Sequence, residues 1–387
     1  MRRLLLLVCA LVLVDTMLYA ALTPLLGRFA TELQLSKAGA GVLVAAYAAG
    51  ALLGGIPGGA AAVRLGCRRA VLVGLTLMGL SSLAFALAGG FPALCLARLA
   101  QGCGSAFTWA GAFAWLIGAA PRERRGELIG TAMGAAVFGA MCGPIVGAAA
   151  ALLGRVAIFS ALATLAVALA AMTLRIEPVP PERPSLAALR RALGGRTLVL
   201  GLALMSLASL LAGILSVLAP LHLSAAGWGA GAIGAVWLVG AALETVQSPL
   251  LGRLSDRRGA LVPVRCALAA GALASLALAL DGEPLTYAAL VALASVCFGA
   301  LFTPSFALIA DGAESAGLAQ GMAFGFMNAA WALGAMVGPA AAGAIAAALG
   351  DETPFLIAAA ACLASVLITR APWREAPARA EPLTPGK

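Results

Sequence analysis

Polar residues along this chain fall in short clusters. Between them run twelve apolar segments, at roughly 4–26, 39–62, 70–89, 92–119, 127–152, 156–174, 198–221, 230–252, 260–280, 285–310, 320–348 and 354–370. A helix that crosses a ~30 Å hydrocarbon core needs about 20 apolar residues, with a range near 17–25. The runs are continuous and lack period-2 alternation, which excludes a membrane β-barrel. The pattern predicts an all-α membrane protein with 12 transmembrane helices. The only polar segment of any length covers residues 175–197. Its four prolines block a helix at its start, and Leu186–Leu193 is expected to form a short amphipathic helix on the membrane surface. This linker divides the chain into an N-terminal six-helix bundle over 1–174, a C-terminal bundle over 198–371 and a tail over 372–387.

Composition sharpens the class. Of 387 residues, 62% are hydrophobic and 11% charged, against ~45–50% and ~25% in average soluble domains. So few charges cannot cover a soluble protein of this size, which excludes a cytosolic enzyme, a secreted disulfide scaffold and a disordered chain. Leu4–Leu26 is long for a signal-peptide core and carries Asp15 at its middle, so it is expected to be retained as the first span. The net charge of +9 is unevenly placed. With the N-terminus inside, 21 basic residues fall on the inner side and only Arg28, Lys37 and Arg155 on the outer, with Arg98 left within a span. The positive-inside rule therefore puts both termini in the cytoplasm, and the expected setting is a bacterial-type inner membrane. Arginines scattered over short loops build no nucleic-acid-binding stripe. Eight cysteines without a C-x-x-C pair, and the single His222, suggest no metal or cofactor. No Ser-centred nucleophile motif or phosphate loop points to an enzyme. A monomer is expected.

The two halves repeat. Gly130, Gly139, Gly143 and Pro144 return as Gly325, Gly334, Gly338 and Pro339, each 195 positions on; Gly147 has its counterpart in Gly343. Likewise Gly59, Val63-Arg64 and Gly66 return as Gly252, Asp256-Arg257 and Gly259, at an offset of 193. Two motifs at nearly one offset indicate a duplicated six-helix unit.

These motifs resemble those of the major facilitator superfamily over essentially the whole chain. The segment after span 2 resembles the family's G-x-L-x-D-R-x-G-R-R loop, with Val63 in the aspartate position; the segment after span 8 keeps Asp256 and Arg257. Arg98-x2-Gln101-Gly102 in span 4 resembles R-x-x-Q-G. The span 5 pattern resembles the G-x8-G-x3-G-P-x2-G motif of antiporters. Val14-Asp15-Thr16-Met17-Leu18-Tyr19 with Thr23-Pro24 resembles the first span of the drug:proton antiporter and vesicular amine transporter branches. The resemblance implies a fold of two pseudo-symmetric bundles, alternating access and proton-coupled export.

The residues themselves support a transport site. Asp15, Arg98 and Glu244 lie inside spans, where a charge facing lipid costs at least ~2.5–3.5 kcal/mol, so each should face a wet cavity or a partner. Asp15 is 12 residues after Arg3, about 18 Å along a helix and close to the membrane centre. Low dielectric disfavours its charged form, which suits a proton carrier; a cation is the other partner that would fit it. Tyr19 shares its face at i+4. Arg98, Gln101, Ser105 and Thr108 or Trp109 form a polar stripe on span 4; Arg98 either biases a nearby carboxylate or clamps carbonyls across the bundle. Glu244, with Gln247, Ser248 and Trp237, makes a patch on span 8, where snorkelling toward the inner arginines is an equal alternative.

Asn328 and Trp331 on span 11, one turn after Phe324, and Phe298, Phe302 and Phe306 on one side of span 10, suit an amphipathic or cationic ligand through cation–π contact; packing is the plainer role of each aromatic alone. Small residues at Gly139, Gly143, Gly147, Gly334 and Gly338 let backbones approach, while Pro144 and Pro339 bend their helices. The expectation is a secondary transporter exporting small organic, amphipathic or cationic compounds against entering protons. Alternatives are an exporter or uniporter of one metabolite (a sugar, amino acid or polyamine) and a transport-dead receptor on the same fold.

Overall fold

The computed structural model describes residues 1–121, 124–178, 191–280, 282–318 and 320–370. Fourteen α-helices are labelled within these residues: α1 (Arg2–Ala20), α2 (Leu26–Glu32), α3 (Lys37–Arg64), α4 (Cys67–Leu87), α5 (Phe91–Ala119), α6 (Arg125–Leu153), α7 (Arg155–Leu174), α8 (Arg196–Ala225), α9 (Ala230–Arg258), α10 (Leu261–Leu280), α11 (Pro284–Gly299), α12 (Phe302–Ser315), α13 (Gln320–Leu349) and α14 (Glu352–Arg370). Eleven helical segments are long and apolar enough to cross a membrane. Among the described residues α5, with 29 residues, stands outside that set because of its polar stripe, and is taken as the remaining span on its length and its packing between α3 and α4.

Ten spans are single helices near the expected bounds, and two are broken. The first span stops at Ala20, passes through a 3-10 turn over Thr23–Leu25 and resumes as α2 as far as Glu32. Pro24 in this turn lacks an amide hydrogen, so the α-helical ladder cannot run through it. The expected end of this span at residue 26 is thus corrected outward by two turns. The tenth span breaks between Gly299 and Phe302. That break changes which way its aromatics face. Phe302 and Phe306 turn to the centre of the bundle, whereas Phe298 is buried against Gly271 of α10. The expectation of one continuous Phe298–Phe302–Phe306 face therefore fails.

The basic motifs after spans 2 and 8 also sit differently from expectation. Gly59 and Arg64 belong to the last turns of α3, and Gly252, Asp256 and Arg257 to the last turns of α9. Both helices continue past their apolar stretch, and the loop shrinks to a turn at Gly66 or Gly259. These two glycines have φ of 91° and 79°, a left-handed conformation that glycine adopts without a Cβ clash. The Asp256 side chain lies outside the described residues, as do most of the 175–197 linker and the 371–387 tail.

The duplication is visible in the packing. In the first half α1 packs on α6, α3 on α5 and α4 on α7; in the second, α8 packs on α13, α9 on α11 and α10 on α14. These are the same span pairings in each half: first with fifth, second with fourth, third with sixth. The halves meet along two seams, α3 with α13 and α6 with α9. Each seam joins the second span of one half to the fifth span of the other, as a two-fold pseudo-axis requires.

The glycine motifs make the first-with-fifth pairings possible. A Cβ on Gly139 would collide with the Leu13 carbonyl and Thr16 Oγ1 of α1, and one on Gly147 with the Ala21 carbonyl and Pro24. Gly334 and Gly338 stand in the same relation to Ser206, Ser209 and Leu210 of α8. Backbones this close exclude any side chain, as small-residue helix crossings in lipid do. Hydroxyls add to each crossing: Thr16 Oγ1 donates to the Ala136 carbonyl at 2.7 Å, and Ser206 Oγ to the Ala330 carbonyl at 2.7 Å. Pro339 is also set against Gly213 of α8 and, through its carbonyl, against Gly41 of α3.

Candidate functional site

A cavity of about 370 Å³ lies at the centre, between the halves. It begins near Leu22, Thr23 and Ser216 and runs past Asp15 to Met133, Phe306 and Met327, toward the end of the bundle where the linker emerges. At the opposite end, which carries Lys37, the halves close on each other. Lys37 Nζ meets Asp351 Oδ1 at 2.5 Å, joining α3 to the turn before α14. A Cβ on Gly41 would strike the Pro339 carbonyl, and one on Gly343 the Lys37 carbonyl. On the linker side a stacked pair crosses the halves: the rings of Phe113 and Phe324 lie 4.9 Å apart at 12°.

Asp15 is the chemical centre of the wall. It is 3% exposed. Three groups donate to its carboxylate: Tyr47 Oη to Oδ1 at 2.9 Å, Ser105 Oγ to Oδ2 at 2.8 Å and Trp109 Nε1 to Oδ2 at 2.6 Å. Hydrogen bonds to an ionised group contribute about 1.5–3 kcal/mol each, so this cage favours a carboxylate held at one position. Among the described residues no ion pair engages it.

Arg98 is close by but is used differently. Its Nη1 donates to the Leu18 carbonyl and to Gln101 Oε1, and its Nη2 to the Tyr19 carbonyl, all at 3.1 Å. Leu18 and Tyr19 are in the last turn of α1, where the break at Ala20 leaves carbonyls without intrahelical donors. Arg98 therefore caps the broken span, the carbonyl-clamping alternative of the two. It makes no hydrogen bond to Asp15 but feels its charge, and Tyr47 stands between them, its ring 4.7 Å from the guanidinium carbon and its hydroxyl on the carboxylate.

The structure brings together most of the residues singled out from sequence. Asp15, Tyr19, Arg98, Trp109, Trp237, Glu244, Phe302, Asn328 and Trp331 all line the one cavity. Tyr19 contacts Tyr47 and, across the halves, Trp331, each with ring centroids 5.1 Å apart. Glu244 lies half-buried on the wall, with its carboxyl over Gly299 of α11, a position open only because Gly299 has no side chain. Gln101 is the exception. It is 1% exposed and its amide turns to Ser82 of α4, so it supports Arg98 from behind and does not reach the cavity. Thr108 is buried in the same direction, bonded to the Gly104 carbonyl. The span 4 stripe is thus split between the cavity and the α4–α5 contact.

Tyr47 was not among the residues that the sequence singled out. Its only signal is that it is one of three tyrosines in the chain, set alone in the apolar run of span 2. Ser209, Ser216 and Ser295 also line the cavity; Ser206, Ser209 and Ser216 fall at i, i+3 and i+10 on span 7, a one-face spacing that could have marked that wall.

Two six-span halves around a central cavity closed at one end, with an acid in its wall, define a membrane transporter built from a repeated unit. The chain belongs to the Major Facilitator Superfamily, whose sequence profile matches residues 5–323. It is 32% identical over 152 residues to a probable vesicular acetylcholine transporter of Danio rerio; that stretch is 37% of this chain and spans 31% of the relative's length. Among solved structures it resembles a bacterial homolog of the human lysosomal transporter Spinster in an inward-facing, unoccupied conformation, with a TM-score of 0.76 and 14% identity over 95% of both chains. A D-xylose–proton symporter gives 0.75 at 14% identity, over 95% of this chain and 97% of the other. A nucleoside transporter gives 0.73 at 15%, over 95% and 99%.

Proposed function

We propose that this protein exports small amphipathic organic cations in exchange for protons. The observation that carries the reading is the Asp15 carboxylate, caged by Tyr47, Ser105 and Trp109 on the wall of a cavity rich in aromatic rings. Its donors stabilise a negative charge without neutralising it, and Arg98 is occupied with the α1 carbonyls. Tyr19, Trp109, Trp237 and Trp331 offer faces to the apolar body and charge of such a cation. A proton on Asp15 removes the negative pole, so cation and proton compete for one group, and that competition is the coupling. Glu244, on the other half, is a second proton or cation contact. The partial likeness to a vesicular acetylcholine transporter agrees with a cationic substrate.

The charge bias supports a cytoplasmic linker end, and an inner membrane is part of this proposal. On that orientation the conformation described has its outer end closed by the packing of Gly41 and Gly343 against Pro339 and Lys37, with the Lys37–Asp351 pair beside it, and its cavity directed inward. Cysteines introduced into the 175–197 linker should be labelled only after the membrane is permeabilised; labelling from outside reverses the topology.

The direct test uses the purified protein in proteoliposomes with an imposed pH gradient and a fluorescent lipophilic cation. Accumulation should follow the proton gradient and collapse with a protonophore, and raising the proton concentration on the substrate side should weaken cation binding. Accumulation of neutral sugars or amino acids, with no response to cations, would overturn the reading.

A further inference from the structure

We propose that the Lys37 end of the first half carries a phospholipid site, with the lipid phosphate on Arg28 and Arg155 and an acyl chain along Leu153 and Val156. This site is separate from the central cavity and does not depend on what the protein transports.

The pocket has a volume of about 580 Å³ and lies where α2, the end of α6 and the start of α7 converge. Its walls are mixed. Leu25, Leu153 and Val156 are apolar, while Arg28, Glu32 and Arg155 are charged. Each guanidinium is fixed along one edge by the protein. Arg155 donates through Nε to the Ala86 carbonyl at 3.1 Å and through Nη2 to the Ala88 carbonyl at 2.7 Å, and its guanidinium carbon lies 5.5 Å from the centre of the Phe29 ring. Arg28 donates through Nε to Glu32 at 2.5 Å and through Nη1 to the Ala151 carbonyl at 3.2 Å. Donors remain on Arg28 Nη2 and Arg155 Nη1. Arg28 matches Glu32, so the pocket carries a net charge of about +1, the complement of one phosphodiester.

The apolar half of the pocket selects a lipid over a free anion. Leu153 and Val156 of its lining are 71% and 51% exposed, and Leu152 next to them in the chain is 82% exposed. Such a strip would be costly in water and is natural against hydrocarbon. Two held guanidinium groups at the edge of an exposed apolar strip mark the boundary between headgroup and acyl chains. A lipid seated there would brace α2, the displaced end of the first span, against α6 and α7.

Native mass spectrometry of the delipidated full-length protein, with phosphatidylglycerol added back, tests the site. Arg28→Gln removes one phosphate donor. Ala157→Trp fills the pocket and leaves both arginines in place; Ala157 lines it and is exposed. The wild type should retain one lipid molecule that survives gentle activation, and each variant should retain it at least fivefold less. Lipid should raise the melting temperature of the wild type in detergent and not that of Ala157→Trp, while millimolar sodium phosphate should raise neither. Equal lipid retention by wild type and both variants would overturn the site. A rise with sodium phosphate equal to that with lipid would overturn the lipid assignment in favour of a simple anion site.

Discussion

The two halves share a scaffold and differ in the chemistry of their cavity walls. In both, a glycine-rich fifth span lies against the first span, and a hydroxyl bridges the crossing at 2.7 Å. The wall chemistry does not repeat. The positions 193 residues on from Asp15 and Arg98 hold Ala208 and Val291. The second half contributes Glu244 instead, from α9, with its carboxyl over Gly299. Backbone contact constrains every copy of a duplicated unit equally, because any Cβ at the crossing collides. A cavity side chain is constrained only by what the cavity must hold, and one acid in a fixed cage is enough for that.

The largest expected effect tests this asymmetry. Asp15→Asn should abolish proton-driven accumulation in proteoliposomes while leaving expression and melting temperature near wild type, whereas Glu244→Gln should retain part of it. Downhill exchange by Asp15→Asn is expected to survive, since it needs no proton. If Asp15→Asn still concentrates substrate and Glu244→Gln does not, the roles of the halves are exchanged.

The scaffold should respond symmetrically. Gly139→Val and Gly334→Val each force a side chain into backbone, and overpacking of this kind costs about 1–3 kcal/mol. Both should lower the melting temperature in detergent by similar amounts. A large effect in one half alone would show that the repeated crossing supports only that half.

Next in size is the cage itself. Tyr47→Phe keeps the ring under Arg98 and removes one donor to Asp15. A loss of about 1.5 kcal/mol of support for the carboxylate should weaken cation binding roughly tenfold. Ser209→Ala, on the cavity wall of the second half, should change it little. Isothermal calorimetry with a lipophilic cation separates the two; equal losses would mean that binding does not centre on Asp15.

The smallest effect is expected where the halves are joined. Lys37 and Asp351 are both partly exposed, at 43%, and exposed pairs contribute about 0.2–1 kcal/mol. Lys37→Gln should shift the population open at that end by no more than about fivefold, measured by the distance between spin labels at the exposed positions Val42 and Leu349. A complete loss of the closed form would mean that the ion pair, and not the backbone packing around Pro339, holds the end shut.

The sequence by itself determined the twelve spans, the duplication and the three intramembrane charges. Lipid supplies no hydrogen bonds, so a long apolar run has little choice but a helix, and the spans follow from hydropathy even where their ends do not. The repeated glycines were legible for a related reason, since a close crossing admits only one residue type. Tertiary structure decided what each polar side chain faces. Tyr47, Ser105 and Trp109 come to Asp15 from 32, 90 and 94 positions away. Gln101 turned away from the cavity although it shares a stripe with Arg98, and Phe298 left its neighbours because the tenth span breaks at Ala300. Spans that are apolar nearly all round carry no periodic signal of their inner face. The choice between lipid, neighbour and cavity is made only when the helices pack, and with it the surroundings of every buried charge.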